Sequence, residues 1–148
     1  MADGVNRNDR DSEEDTFEVL SSKIQQICRD YDIIAAYLYG SFARGEQRSD
    51  SDIDIAIYFR NYSLKKVLEV GRRIQEKTDI PRHIDVRALN NASPLFQFRV
   101  IQQAKVLYES SPEERADIEV EIDWRYHDLK PHMEEHWAER RKRVIESG

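Results

Sequence analysis

The stretch that most constrains this chain is Asp52-Ile53-Asp54-Ile55-Ala56-Ile57, in which isoleucine returns at every second position. A period of two belongs to a β-strand, whose successive side chains leave opposite faces. Such a strand buries Ile53, Ile55 and Ile57 on one side and sets Asp52 and Asp54 together on the other. Two unpaired carboxylates held that close repel each other, and burial makes the repulsion worse. A bound cation resolves the conflict, and hard oxygen ligands beside a phosphate suit Mg²⁺. Asp85 sits in a second apolar run, between Ile84 and Val86, and an adjacent strand could bring it alongside as a third carboxylate. Three carboxylates can bind two metal ions, which activate an attacking hydroxyl and stabilise the leaving oxygen in a phosphoryl-type displacement.

Upstream, Ile33-Ile34-Ala35-Ala36-Tyr37-Leu38-Tyr39 is a continuous apolar run that stops at Gly40-Ser41. It reads as a buried strand opening into a loop over residues 40–51. A glycine there lets backbone approach a phosphate closely, and the serine hydroxyl and exposed N–H groups can donate to its oxygens. Arg44 and Arg48 are near enough in sequence to reach the same polyphosphate, a task that guanidinium suits; each could equally be an ordinary surface arginine.

The flanking elements follow from spacing and punctuation. Phe17, Leu20, Ile24, Ile27 and Tyr31 recur at steps of three and four, an amphipathic helix from about Thr16. Ser63 can cap a helix running to about Thr78, and Ser93-Pro94 opens another to about Ala104. Ile84, Val86 and Leu89 mark a strand near 83–88, and Lys105–Tyr108 a short fourth one. Ser111-Pro112-Glu113-Glu114 starts a last helix, with acids favouring its N-terminus. The segment after it alternates like a strand at Ile118, Val120, Ile122, Trp124 and Tyr126. It also carries a helical stripe through Ile118, Ile122, Tyr126, Leu129, Met133 and Trp137, and the longer stripe favours helix, with a kink or break at Pro131. The expected organisation is a tail over 1–14, an α/β domain over 15–110 with a small mixed sheet and flanking helices, and a helical extension over 111–148.

The chain has 148 residues, a formal charge of −6 and 35% charged residues. An acidic balance argues against broad contact with a nucleic-acid backbone and leaves room for a local basic cleft. One cysteine, Cys28, excludes an internal disulfide and reads as a buried filler. The N-terminus has no apolar core of a signal peptide and no apolar run reaches membrane-spanning length, so the expected compartment is the cytoplasm.

Gly40-Ser41, then ten residues (42–51), then Asp52-Ile53-Asp54, then Asp85 resembles the nucleotidyltransferase superfamily that includes DNA polymerase beta and kanamycin nucleotidyltransferase. GSFARGEQRSDSDIDIAI, together with Ala88-Leu89-Asn90-Asn91-Ala92-Ser93-Pro94-Leu95, is similar to the minimal nucleotidyltransferases called MntA, antitoxins paired with HEPN-domain ribonuclease toxins called HepT. The resemblance covers about residues 16–110. It implies transfer of AMP from ATP to a tyrosine of the toxin, with Asp52 and Asp54 holding two Mg²⁺ ions. It further implies that Asp85 completes the metal site nearest the attacking oxygen and is a candidate to take the hydroxyl's proton. Gly40 and Ser41 would then hold the β- and γ-phosphates while pyrophosphate leaves.

Other readings stay open on the sequence alone. The acceptor could be a small molecule such as an aminoglycoside, or the chain could mask its toxin by binding without turnover. Asp85 could instead be the ion-pair partner of Arg82 or Arg87, and His83 a polar strand end. His132-Met133-Glu134-Glu135-His136 matches the H-x-x-E-H zinc pattern but offers no third ligand and reads as a polar helix face. Arg140-Arg141-Lys142-Arg143 is a solvated helix end or a contact for an acidic surface. Trp124, Tyr126 and Trp137 read first as core and second as an interface.

Overall fold

In the computed structural model, which describes residues 7–40 and 52–147, five helices surround a four-stranded sheet. Helices α1 (Arg7–Lys23) and α2 (Gln25–Asp30) lead into β1 (Ile33–Tyr39). After the motif come β2 (Ile53–Phe59), α3 (Leu64–Thr78), β3 (Ile84–Ala88), α4 (Pro94–Gln103), β4 (Lys105–Glu109) and α5 (Pro112–Ser147). The sheet order is β3-β2-β1-β4. β1 lies antiparallel to both β2 and β4, whereas β2 and β3 run parallel. A parallel pair needs a crossover connection, and α3 provides it.

The period-two pattern of β2 divides the molecule. Ile53, Ile55, Ile57 and Phe59 are fully buried, packed with Leu20, Ile24, Ile27 and Cys28 from the α1–α2 segment and Val67, Val70 and Ile74 of α3. Each such side chain contributes about 1.5–3 kcal/mol by leaving water, so this face anchors the fold. Burial also pushes the Cys28 thiol up to about 12, which leaves it inert, as a filler should be. The opposite face carries Ala35, Tyr37 and Ala56, covered by Leu89 and by Val100 of α4. α5 joins through Ile118 and Ile122 against Ile34.

Local signals set the element ends. Ser63 Oγ accepts from Lys66 N–H at 3.2 Å and Ser93 Oγ from Phe96 N–H at 3.2 Å, with Pro94 opening α4. Ser111 Oγ accepts from Glu114 N–H at 3.1 Å at the start of α5. Asn90 works as a short strand of its own: its amide donates to the Phe59 carbonyl (2.7 Å) and accepts from Phe59 N–H (2.8 Å), tying the end of β3 to the end of β2. Both outer edges of the sheet are met by helix side chains. On β3, Gln75 accepts from Ile84 N–H (2.8 Å) and donates to the Arg82 carbonyl (2.8 Å). On β4, the Leu107 carbonyl receives Ser21 Oγ (3.1 Å) and Gln25 Nε2 (3.4 Å).

Three expectations change. The first helix begins at Arg7 rather than near Thr16; the stretch before Thr16 has no apolar period, so patterning is silent about it, although its glutamates and arginine are good helix formers. α5 runs through Pro131 as one helix of 36 residues, so of the expected kink or break the break does not occur, because a proline removes a single internal bond and neighbouring turns can carry the rest. Trp124 and Trp137 lie outside the core, at 69% and 52% exposure; the domain ends before the aromatic stripe does. Tyr126 alone of the three packs inward, stacked on Phe98 at 4.0 Å between ring centroids.

Candidate nucleotide-transfer site

The parallel pairing of β2 and β3 builds the site. Ile53 N–H donates to the His83 carbonyl (2.9 Å) and Leu89 N–H to the Ile57 carbonyl (2.8 Å), fixing the register at both ends. That register sets Asp54 directly beside Asp85, on neighbouring strands whose spacing is about 4.8 Å. On its other side Asp54 is the register partner of Tyr39, the last residue of β1. Since Ile53 and Ile84 point into the anchoring core, Asp54 and Asp85 share the opposite face.

The carboxylates feel one another. Burial, then the charges of Asp85 and Asp52, hold the Asp54 carboxyl above the usual range, with Arg87 and His83 pulling the other way. Tyr39 is pushed up to about 12 by burial and then by Asp54, so its phenol stays protonated. A hard divalent cation is the natural relief for a half-buried carboxylate that has two others as neighbours. The donor chemistry therefore fits Mg²⁺, although among the described residues no three His, Cys, Asp or Glu side chains are gathered as a ready metal site. Asp85 is engaged elsewhere: Arg87 Nε lies 3.3 Å from Asp85 Oδ2, the ion pair that was the plain alternative for this aspartate.

Gly40 shows why a glycine ends β1. Its φ is +78°, and a Cβ built there would stand 2.6 Å from Asp54 Oδ2. A side chain at position 40 would thus strain the backbone and push directly on the carboxylate. Ser41, Arg44 and Arg48 lie outside the described residues. Of the predicted site, the structure brings Asp54 together with Asp85 and Gly40, and the charge of Asp52 is felt at Asp54.

Sequence reasoning passed over Tyr39 and Phe96 on this face and named Arg87 only as an ion-pair partner for Asp85. Tyr39 meets Phe96 edge-on at 5.5 Å between centroids, and the Arg87 guanidinium carbon stands 6.0 Å from the same ring. Arg87 follows Asp85 by two positions and so shares its face, whereas Phe96 comes from a different element and left no local sign. His83 lies at the exposed strand end, as its plain reading expected.

A small mixed sheet with a carboxylate pair in register at the end of its parallel strands defines a nucleotidyltransferase-type fold. The polymerase beta nucleotidyltransferase family matches residues 22–113, and the chain belongs to that family. A candidate protein adenylyltransferase of Methanocaldococcus jannaschii is 31% identical over 86 residues, spanning 57% of this chain and 90% of that protein. Among solved structures, a toxin–antitoxin crystal structure with AMP-PNP contains a chain that superposes with a TM-score of 0.68 at 24% identity, covering 80% of this chain and 96% of that one. A chain in the complex of a tri-AMPylated Shewanella oneidensis HEPN toxin with its MNT antitoxin gives 0.66 at 21%, covering 83% and 97%. At these identities the solved structures speak for the shared fold.

Proposed function

We propose that this chain is an Mg²⁺-dependent protein adenylyltransferase that moves AMP from ATP to a tyrosine hydroxyl of a HEPN ribonuclease toxin and so acts as its antitoxin. The observation that carries the reading is the registered pair Asp54–Asp85 with Gly40 closed against Asp54. The relatives support the direction: the archaeal one bears the name of a protein adenylyltransferase, and two neighbours come from toxin–antitoxin complexes, one with AMP-PNP and one with an AMPylated toxin.

The acceptor oxygen attacks the α-phosphorus of ATP, the new P–O bond forms, the α–β bridge breaks and pyrophosphate departs. Asp52, Asp54 and Asp85 would hold two Mg²⁺ ions, which supply charge neutralisation for the phosphates and acidify the acceptor hydroxyl. Asp85, at the outer edge of the carboxylate row, receives that proton. Gly40 and Ser41 seat the β- and γ-phosphates, and Arg44 and Arg48 reach their oxygens. Most of the acceleration comes from fixed position and prearranged charge. Residues 15–110 carry this chemistry and 111–148 form the helical extension.

Incubation with ATP, Mg²⁺ and a HEPN toxin, followed by intact-mass analysis, tests the proposal. The toxin gains steps of ~329 Da, one AMP each, if the metal-assisted transfer operates. An unchanged toxin beside an adenylylated small molecule moves the acceptor to the aminoglycoside class. Full neutralisation of the toxin by Asp54→Asn reduces the chain to a binding antitoxin.

A further inference from the structure

The far end of α5 carries an apolar stripe flanked by charge beyond the part that packs on the domain. Up to Tyr126 the helix packs on the domain through Ile118 and Ile122 against Ile34 and through Tyr126 against Phe98. The same stripe then continues at steps of three and four through Leu129 and Met133, both half-buried, to Trp137, which is 52% exposed. Charge along this segment is uneven: Asp128, Lys130, Glu134 and Glu135 leave its first half net acidic, and Glu139, Arg140, Arg141, Lys142, Arg143 and Glu146 leave its second half net basic. Within the helix these are linked by long contacts, Lys130–Glu134 at 4.0 Å, Arg143–Glu139 at 3.8 Å and Lys142–Glu146 at 4.0 Å. Exposed pairs of that kind contribute little each.

We infer that residues 130–147 pair antiparallel with the same segment of a second copy of this chain, about a twofold axis at Trp137. A helix net acidic in its first half and net basic in its second is the complement of its own reverse. With the axis at Trp137, residue 134 of one copy is level with residue 140 of the other. Glu134 and Arg141 are seven residues apart, two helical turns, and so occupy the same flank of the stripe. In an antiparallel pair that flank faces its own equivalent, and Glu134 comes within one residue's rise, about 1.5 Å, of the second copy's Arg141. The twofold makes this contact twice. Trp137 meets its counterpart across the axis, and Met133 packs along the arginine stems of the other helix, which cover apolar surface while their heads stay wet. A partner with a single sign of charge would match only one half of the segment. Two helix ends of this length bury less than the roughly 1,200 Å² of a stable interface, so the contact is weak and concentration-dependent.

Sedimentation equilibrium of the full chain reads this directly. The weight-average mass rises from 17.5 kDa toward twice that value with concentration, in the micromolar to millimolar range. Glu134→Arg alone or Arg141→Glu alone weakens association about tenfold or more, since each sets two like-charge contacts in the interface. The double variant Glu134→Arg/Arg141→Glu restores it, and Trp137→Ala loses it. The positions are exposed on a projecting helix, so far-ultraviolet dichroism and melting temperature of the monomer stay unchanged in every variant. A single mass of 17.5 kDa at all concentrations overturns the proposal. So does association that ignores both single reversals, or a double variant no better than the singles.

Discussion

The two faces of β2 are made by the same seven residues and do opposite work. On one side Ile53, Ile55, Ile57 and Phe59 are completely buried under α1, α2 and α3. On the other, Asp54 stands beside Asp85, half-covered and held above its ordinary pKa by burial and by its neighbours' charge. The lesson is that a strand with period two can separate stability from chemistry at one-residue resolution. The apolar face supplies the free energy that keeps like charges in place on the polar one. Without that anchoring the carboxylates would simply move apart.

Single substitutions can break or sharpen this division. The largest effect falls on the polar face: Asp54→Asn lowers nucleotide transfer by about 10³-fold or more, because a ligand charge central to the row is gone; a radiolabel transfer assay measures it. On the apolar face Ile55→Ala costs about 2–5 kcal/mol of stability, seen in urea unfolding, and leaves the transfer rate of the folded fraction near wild type. A large direct loss of rate in the Ile55 variant would show that the two faces are not independent. Gly40→Ala comes next. The added Cβ would press on Asp54 Oδ2, so transfer falls by roughly 10–100-fold, as expected for a displacement of reacting groups by about 1 Å.

The smallest effect is also the most diagnostic. A carboxyl whose pKa is raised on folding binds its proton more tightly in the folded state, so folding loses stability as pH rises through the window above its ordinary value of 3.8 and stays lowered at neutral pH. Asp54→Asn removes that cost. Without Mg²⁺ it melts higher than wild type at pH 7, and the gap closes toward pH 4. Mg²⁺ reverses the order by stabilising wild type alone. Calorimetry at two pH values, with and without the ion, checks both signs.

Much of this was legible because local chemistry dictated it. Alternating isoleucines specified β2, Ser63 and Ser93-Pro94 specified the starts of α3 and α4, and the aspartate two positions after another gave a shared face. What escaped is what sequence spacing does not encode. That β2 and β3 run parallel in register is a pairing across some thirty residues, made through α3. The Phe96 ring beside Arg87 depends on how α4 lies over the sheet, whereas the Arg87–Asp85 ion pair was already one of the alternatives open on the sequence. The early start of α1 carries no apolar period, and the exposure of Trp124 and Trp137 follows from where the domain stops, not from the residues themselves. Ser41, Arg44 and Arg48 were named from the same motif and fall outside the described residues.

Gln75, Ser21 and Gln25 have a consequence for how the protein survives at high concentration. By occupying backbone groups at the two borders of the sheet, they deny a passing chain the template it would need to grow onto either one. Two glutamines and a serine thus act as stoppers against fibre formation. Substituting alanine at all three would free these backbone groups, lower stability and open the sheet borders to edge-to-edge pairing.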